Sequence, residues 1–208
     1  MNPDEGKQLR RMETKLIRLR KNGWANYTRV LGEYVDHRFL LDPPYPEKDV
    51  RSFETGFGIT LPSQFRTFIT TLGSSGAGPH YGLLSKDWYT STDLFEDPLK
   101  TARSLQDPCP LEEKKYGDDW LEEIGGDDWE KRLYEDQSWN PLQGMISISS
   151  LGCAGSGPLR GRLFTINMDL WTPGICESSS FFDWYEAWLD ALLEGKDNNA
   201  MGVWDGHP

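Results

Sequence analysis

Apolar residues recur at three- and four-residue spacing in four separate stretches of the chain, and this spacing predicts amphipathic helices. The stretches run from Asp4 to about Asn22, from Pro46 to about Gly56 or Gly58, from Pro62 to Leu72 and from Phe181 to Leu193. In the last two, the apolar positions form one unbroken stripe. We therefore expect eight side chains to be largely buried, namely Phe65, Phe68, Ile69, Leu72, Phe181, Tyr185, Trp188 and Leu192.

Two shorter stretches alternate between apolar and polar residues, as half-buried strands do. They are Met145 to Ile148 and Arg162 to Asn167. Gly73 lies where the third helix is expected to have its C-terminal cap. Ser180, with Asp183 three residues later, resembles a capping box at the start of the last helix. The pattern therefore predicts helices and strands in one chain.

The 208-residue chain has a formal net charge of −11, and its charges are unevenly distributed. Residues 1–38 hold nine Lys/Arg against five Asp/Glu, whereas residues 112–136 hold eleven Asp/Glu against four Lys/Arg. Phosphate contacts need clusters of lysine and arginine, so the overall charge argues against a nucleic-acid partner. It suits a basic protein partner, or simple solubility.

A short motif occurs twice in the acidic stretch: GDDWLEEIG begins at Gly117, and GDDWEKRLY begins at Gly126. In each copy an Asp near the start is a candidate helix cap, and the Trp is expected to face inward. The polar composition from about 100 to 136 predicts an insertion on the surface of the domain.

The residues that could support catalysis or metal binding are dispersed. Cys109, Cys153 and Cys176 include no C-x-x-C pair, and the three histidines are equally far apart. We therefore expect no metal and no other cofactor. The enzymatic alternative is a hydrolase with Cys153 as nucleophile and His80 as base, although the two residues belong to no recognisable signature.

No stretch of the sequence resembles a membrane anchor. None approaches the roughly 20 apolar residues that a spanning helix needs. The N-terminal sequence MNPDEGKQLRRMETKL carries charges where a signal peptide has its apolar core. The sequence therefore predicts a cytoplasmic protein without a membrane partner.

Four segments, in this order, resemble the SUKH superfamily, which groups fungal cell-wall-synthesis regulators (the Smi/Knr-like family) with bacterial toxin-immunity proteins. The segments are FETGFGITLPSQFRTFI, GSSGAGPHYGLL, the Gly152-Cys153 pair followed by GPLRGRLF, and SFFDWYEAWLD. In two respects the chain departs from the family pattern. Only three residues separate the Gly-Cys pair from the Gly-Pro turn, so a central strand is expected to be shortened or displaced, and the acidic stretch is longer than the family core.

The resemblance implies a single SUKH-like α+β domain with helices packed on a mixed or antiparallel sheet. Residues 1–45 would form an N-terminal helical segment, residues 46–194 the core domain with its acidic insertion at about 100–136, and residues 195–208 a flexible tail. The resemblance also implies binding without catalysis, with immunity against a toxin domain as the commonest bacterial role. It supplies no catalytic residues.

These observations lead to an expected function in protein binding. The leading interpretation is an immunity protein that neutralises a toxin domain with a basic surface, and the alternative is an intracellular regulator or scaffold resembling the fungal branch. The candidate partner-binding residues are Asp118, Asp119, Trp120, Asp127, Asp128 and Trp129. The alternative for these residues is a solvated, helix-capping surface with two core tryptophans.

Overall fold

The computed structural model describes residues 3–23, 27, 37–79, 82–89, 105–114, 116–136, 138–149, 151–154, 159–166, 172–176, 178 and 180–196. Its α-helices are α1 (Pro3–Asn22), α2 (Glu47–Phe57), α3 (Ser63–Thr71), α4 (Trp120–Gly125) and α5 (Phe181–Leu193). A 3₁₀ turn covers Lys86–Trp88, and a π-helix covers Lys131–Glu135. The strands are β1 (Met145–Ser147), β2 (Leu151–Ala154), β3 (Leu163–Ile166) and β4 (Pro173–Ile175). The predicted α+β class is confirmed.

The four strands form an antiparallel sheet in the order β1-β2-β3-β4. In the register, Met145 pairs with Ala154, and Gly152 pairs with Phe164. Strand β2 therefore contains the Gly152-Cys153 pair and lies between β1 and β3. The expected effect of the short segment after this pair stays a prediction, since residues 155–158 lie outside the described residues.

The sheet separates two hydrophobic clusters, since successive side chains of a strand point to opposite faces. Ile146 and Leu163 belong to the main cluster, which also contains residues of α1, α3 and α5. Their neighbours Met145 and Phe164 belong to a second cluster on the opposite face, with residues from 109–142. All four side chains are buried. Both faces of the sheet are therefore covered by protein.

Aromatic rings of α3 and α5 form the centre of the main cluster. The Phe68 ring contacts Phe181 and Tyr185 edge-to-face, with centroids 5.2 and 4.8 Å apart. The Tyr185 hydroxyl donates a hydrogen bond to the Ala77 carbonyl at 2.8 Å, which satisfies a buried polar group. Of the eight side chains expected to be buried, seven are buried and Leu72 is half-buried.

Helix α5 begins with the serine predicted as its cap, whereas α3 has its C-cap one residue before the predicted glycine. The Ser180 hydroxyl accepts a hydrogen bond from the Asp183 N–H at 3.3 Å, which confirms Ser180 as the N-cap, and it lies 2.7 Å from the Asp183 carboxylate. Leu72 occupies the C-cap position of α3 in a right-handed conformation, and the predicted glycine, Gly73, follows it directly but without a positive φ. A Cβ at Gly73 would lie 2.5 Å from the Cβ of Leu41, so glycine permits a close approach there.

Helix α1 packs along α5 and belongs to the main core. Leu9, Met12, Leu16 and Leu19 are buried at the predicted helical spacing. The N-terminal helical segment therefore shares one core with the residues after 45. The predicted flexible tail, residues 195–208, lies outside the described residues except for 195 and 196. None of the helices in the described ranges combines the length and apolar character required to cross a membrane.

Candidate protein-binding surface

Residues between 109 and 124 pack against the face of the sheet that is opposite the main cluster, whereas Leu105 belongs to the main cluster. Their buried side chains complete the second cluster, which consists of Cys109, Leu111, Tyr116, Trp120, Leu142, Met145 and Phe164. The predicted surface insertion therefore has a packed base and does not project freely from the domain.

The two GDDW copies begin with the same backbone turn. In each, the Trp N–H bonds to the Gly carbonyl, and the carbonyl of the second Asp accepts the first helical bond. The equivalent bonds are Trp120 N–H to Gly117 O (3.2 Å), Trp129 N–H to Gly126 O (3.0 Å), Glu123 N–H to Asp119 O (3.0 Å) and Arg132 N–H to Asp128 O (3.1 Å). The repeated sequence thus produces a repeated start, and the copies differ after the Trp.

The first copy turns its Trp into the protein. Trp120 begins α4, is 2% exposed and makes an edge contact with Tyr116, with ring centroids 6.5 Å apart. The Lys114 Nζ lies 5.1 Å from the centroid of the Tyr116 ring, so a cation of the same chain covers this aromatic pair. The assignment of Trp120 as a partner-binding residue is therefore corrected, because a buried ring offers no surface to a partner.

The second copy leaves its aromatic residues at the surface. Trp129 is half-buried, and its ring lies 6.2 Å from that of Tyr134 at an interplanar angle of 60°. Tyr134 is 66% exposed. It belongs to the π-helix, in which the Asp136 N–H donates to the Lys131 carbonyl, five residues earlier, at 2.9 Å. Sequence reasoning missed Tyr134, because only its exposure distinguishes it from the other tyrosines.

Gly125 joins the two copies. A Cβ at this position would lie 2.6 Å from the Trp139 ring and 2.7 Å from the Cβ of Trp129. The end of α4 reaches these two residues because position 125 has no side chain. Arg132 contacts the same two residues. Its Nη1 donates to the Gly125 carbonyl at 2.7 Å, and its guanidinium lies 5.2 Å from the centroid of the Trp139 ring.

Carboxylates dominate the surface around both copies. Eight are exposed and make no ion pair with any other described residue: Asp118, Asp119, Glu122, Asp127, Asp128, Glu130, Glu135 and Asp136. We call this set the open acidic surface. Lys114 is already engaged, because it pairs with Glu112 and Glu123, and these pairs raise its pKa. The four predicted aspartates therefore lie at the surface.

The predicted capping role of the aspartates is not observed in the first copy. Asp119 occupies the N-cap position of α4, but its side chain accepts no hydrogen bond from the helix. In the second copy the π-helix begins at Lys131, with Glu130 before it and likewise no side-chain cap. The exposed carboxylates are thus not used to cap these helices.

A different acidic surface, on α5, is covered by α1. Glu186 is 8% exposed, and its carboxylate lies 2.7 Å from Arg11 and 2.8 Å from Lys15. Lys15 also lies 2.6 Å from Asp190. Burial alone raises the pKa of Glu186, but the hydrogen bonds and charges of Arg11 and Lys15 outweigh it and lower that pKa to about 2. We call the two carboxylates of Glu186 and Asp190 the closed acidic surface.

The pairing of the basic helix α1 with the acidic face of α5 was not predicted, although the charges of both segments are visible in the sequence. The acidic residues of α5 recur on one helical face, and the first 38 residues are basic. Their combination required knowledge that α1 packs on α5, which periodicity does not supply.

The residues of the enzymatic alternative contribute no described site. His80, the candidate base, and the side chain of Cys153, the candidate nucleophile, both lie outside what the structure describes. The Cys109 and Cys176 thiols are buried, and burial raises the pKa of Cys109, which disfavours the nucleophilic thiolate. In the described ranges, no group of three or more His, Cys, Asp or Glu side chains is arranged to hold a metal ion.

Comparison of the chain with protein-family models, curated proteins and solved structures gave no significant match. The functional proposal below therefore depends on the geometry and charge of the surface and on the four resembling segments.

Proposed function

We propose that this protein is a non-catalytic protein-binding module, and that it acts as an immunity protein by neutralising a cognate toxin domain with a basic surface. The observation that carries the proposal is the open acidic surface, on which Asp118, Asp119, Asp127 and Asp128 have no cation from the described part of the chain. The resemblance of four segments to the SUKH superfamily supports immunity as the role.

Electrostatic complementarity gives this role its physical basis. A toxin domain that attacks nucleic acid presents lysine and arginine for phosphate contacts. An acidic partner meets such a surface at an increased association rate, because long-range attraction orients the encounter. The open acidic surface is suited to this task, since its charges are exposed and the first GDDW copy is packed against the sheet.

The experiment measures binding between this protein and the C-terminal toxin domain of a secreted protein encoded beside its gene. We expect a stable complex and protection of cells that express both. The association rate should fall as salt rises from about 0.1 M to about 1 M, since the Debye length shrinks from about 10 Å to about 3 Å. Replacing the four aspartates by lysine should lower that rate severalfold or more.

A matched control separates local charge from net charge. The pair Asp127→Lys/Asp128→Lys changes the net charge by the same amount as Glu13→Lys/Asp87→Lys, and all four residues are exposed. Only the first pair should slow association. A four-lysine variant that binds at the wild-type rate in low salt would contradict the use of this surface. Absence of binding and of protection would contradict the immunity function.

A further inference from the structure

The aromatic pair Trp129 and Tyr134 has a counterpart in the same chain. In the first copy, Tyr116 and Trp120 form an edge-to-face pair, and Lys114 lies over the Tyr116 ring at 5.1 Å. In the second copy, Trp129 and Tyr134 form a similar pair, with centroids 6.2 Å apart. The two pairs differ in what covers them.

No lysine or arginine of the described residues lies over the Tyr134 ring. The cation–π contacts of the described part of the chain involve Tyr45, Tyr116 and Trp139 instead. Arg132, the guanidinium nearest in sequence, points to Trp139 and the Gly125 carbonyl. The described residues thus leave this tyrosine, which is 66% exposed, open to a cation from a partner.

The backbone at Tyr134 supports a functional reason for this exposure. A π-helix is rare, because its longer hydrogen-bonded turn is less favourable than an α-helical one. Where one occurs, it is frequently at a functional site. Here it covers Lys131–Glu135 and places Tyr134 at the surface beside Trp129. An α-helical continuation would give the residues after Trp129 a different helical phase.

The charges around the pair specify the partner's chemistry. Asp127, Asp128 and Glu130 flank Trp129 in sequence, and Glu135 and Asp136 follow Tyr134, all of them exposed. These five carboxylates outnumber Lys131, the exposed cation of the same segment. A cation placed over an aromatic ring gains from the negative face of the ring, and neighbouring carboxylates add to this attraction. An acidic or neutral side chain gains from neither.

We propose that the Trp129–Tyr134 pair is the docking point for an arginine or lysine side chain of the partner protein, a proposal that rests on the proposed function. The cation stacks on the Tyr134 ring, as Lys114 stacks on Tyr116, and its charge is balanced by the carboxylates beside it. Trp129 contacts the Tyr134 ring edge-to-face and positions it.

The test uses a fluorescein-labelled peptide of alternating glycine and arginine residues as the probe. Its affinity for the full chain is measured by fluorescence anisotropy at low ionic strength, where electrostatic contacts are least screened. Tyr134→Leu keeps an apolar side chain but removes the aromatic face, and it should weaken binding about two- to fivefold. Tyr134→Phe keeps the face and should bind within about twofold of wild type.

Two further measurements separate this inference from the proposed function. The indole N–H resonance of Trp129 should shift on titration with the peptide, and Asp127→Lys/Asp128→Lys should weaken binding while Glu13→Lys/Asp87→Lys does not. Equal affinity of Tyr134→Leu and wild type, with loss in the Asp127/Asp128 variant, would overturn the aromatic docking point and leave the acidic surface intact. The docking point would also be overturned if the peptide did not bind at all. The same holds if Asp127→Lys/Asp128→Lys and Glu13→Lys/Asp87→Lys lowered the affinity for the peptide equally.

Discussion

The closed and open acidic surfaces have similar side chains and opposite environments. On α5, Glu186 and Asp190 are paired with Arg11 and Lys15 of α1 at 2.6–2.8 Å. On the open acidic surface, eight carboxylates have no ion-pair partner among the described residues. A count of acidic residues therefore does not identify a binding surface. Which carboxylates remain available to a partner depends on where the lysine and arginine side chains of the same protein lie.

The two surfaces also contribute to different properties. Carboxylates that are paired and buried affect the free energy of unfolding, because removal of one partner leaves the other charge uncompensated. Exposed carboxylates without partners contribute little to stability, but they act on association over the Debye length. This distinction can be tested by substitutions at both surfaces.

The largest expected effect concerns the packed base beneath the open acidic surface. Trp120→Ala removes a buried ring from the second cluster and should lower the free energy of unfolding by about 3–5 kcal/mol. Trp129→Ala, the equivalent change in the second copy, removes a half-buried ring and should cost clearly less. Urea unfolding followed by circular dichroism measures both values. Equal values would show that the copies are packed alike.

At the closed acidic surface, Glu186→Gln should lower the free energy of unfolding by about 3 kcal/mol, since Arg11 and Lys15 lose their buried counter-charge. Asp128→Asn, the matched change on the open acidic surface, should stay within about 0.5 kcal/mol of wild type. Chemical unfolding at neutral pH compares the two. A cost at Asp128 as large as that at Glu186 would remove the distinction between the surfaces.

The closed acidic surface also predicts a specific acid sensitivity. The pKa of Glu186 is about 2 in the folded protein against an ordinary 4.5, so its ionised form stabilises the fold above pH 4.5. This contribution, on the order of 3 kcal/mol, is lost as the pH falls from 4.5 towards 2. Unfolding free energies measured across this range should decline less steeply in Glu186→Gln. Identical slopes would rule out Glu186 as the responsible group.

Gly125, which connects the two GDDW copies, should tolerate no added side chain. Gly125→Ala places a methyl group against Trp139 and Trp129 and should cost about 1–3 kcal/mol. Gly56→Ala is the control, because no neighbouring atom lies within 4 Å of its Cβ position in α2. That change should stabilise the protein by about 0.5–1 kcal/mol. Thermal unfolding distinguishes the opposite signs.

The smallest effect on stability is expected when Asp118, Asp119, Asp127 and Asp128 are all changed to asparagine. Their side chains are exposed and unpaired within the described residues, so the free energy of unfolding should change by less than about 0.5 kcal/mol per site. Association with the toxin domain should nevertheless slow. A large loss of stability would show that these carboxylates have a structural role.

The sequence was most informative where local chemistry alone determines the structure. The apolar stripes predicted α3 and α5, and Ser180 with Asp183 predicted the start of α5. Strand β4 was not predicted, because Pro173 and Gly174 are depleted in strands and its formation depends on pairing with β3. Non-local pairing leaves no periodic signal in so short a segment.

The candidate site was predictable in its charge and not in its aromatic residues. The four aspartates follow directly from composition, and they are exposed. The identical GDDW letters gave no means to distinguish Trp120 from Trp129, since their burial depends on what each helix packs against after the Trp. Tyr134 is distinguished by its exposure, and the π-helix that contains it is not predicted by α-helical periodicity.

The contact between α1 and α5 has a consequence for the synthesis of the protein. Arg11 and Glu186 are 175 positions apart, and a ribosome that adds about 5–20 residues per second needs roughly 10–35 s to make the intervening chain. Until then the apolar stripe of α1, from Leu9 to Leu19, lacks its permanent cover. The core that α1 and α5 share can therefore close only after α5 has left the ribosome.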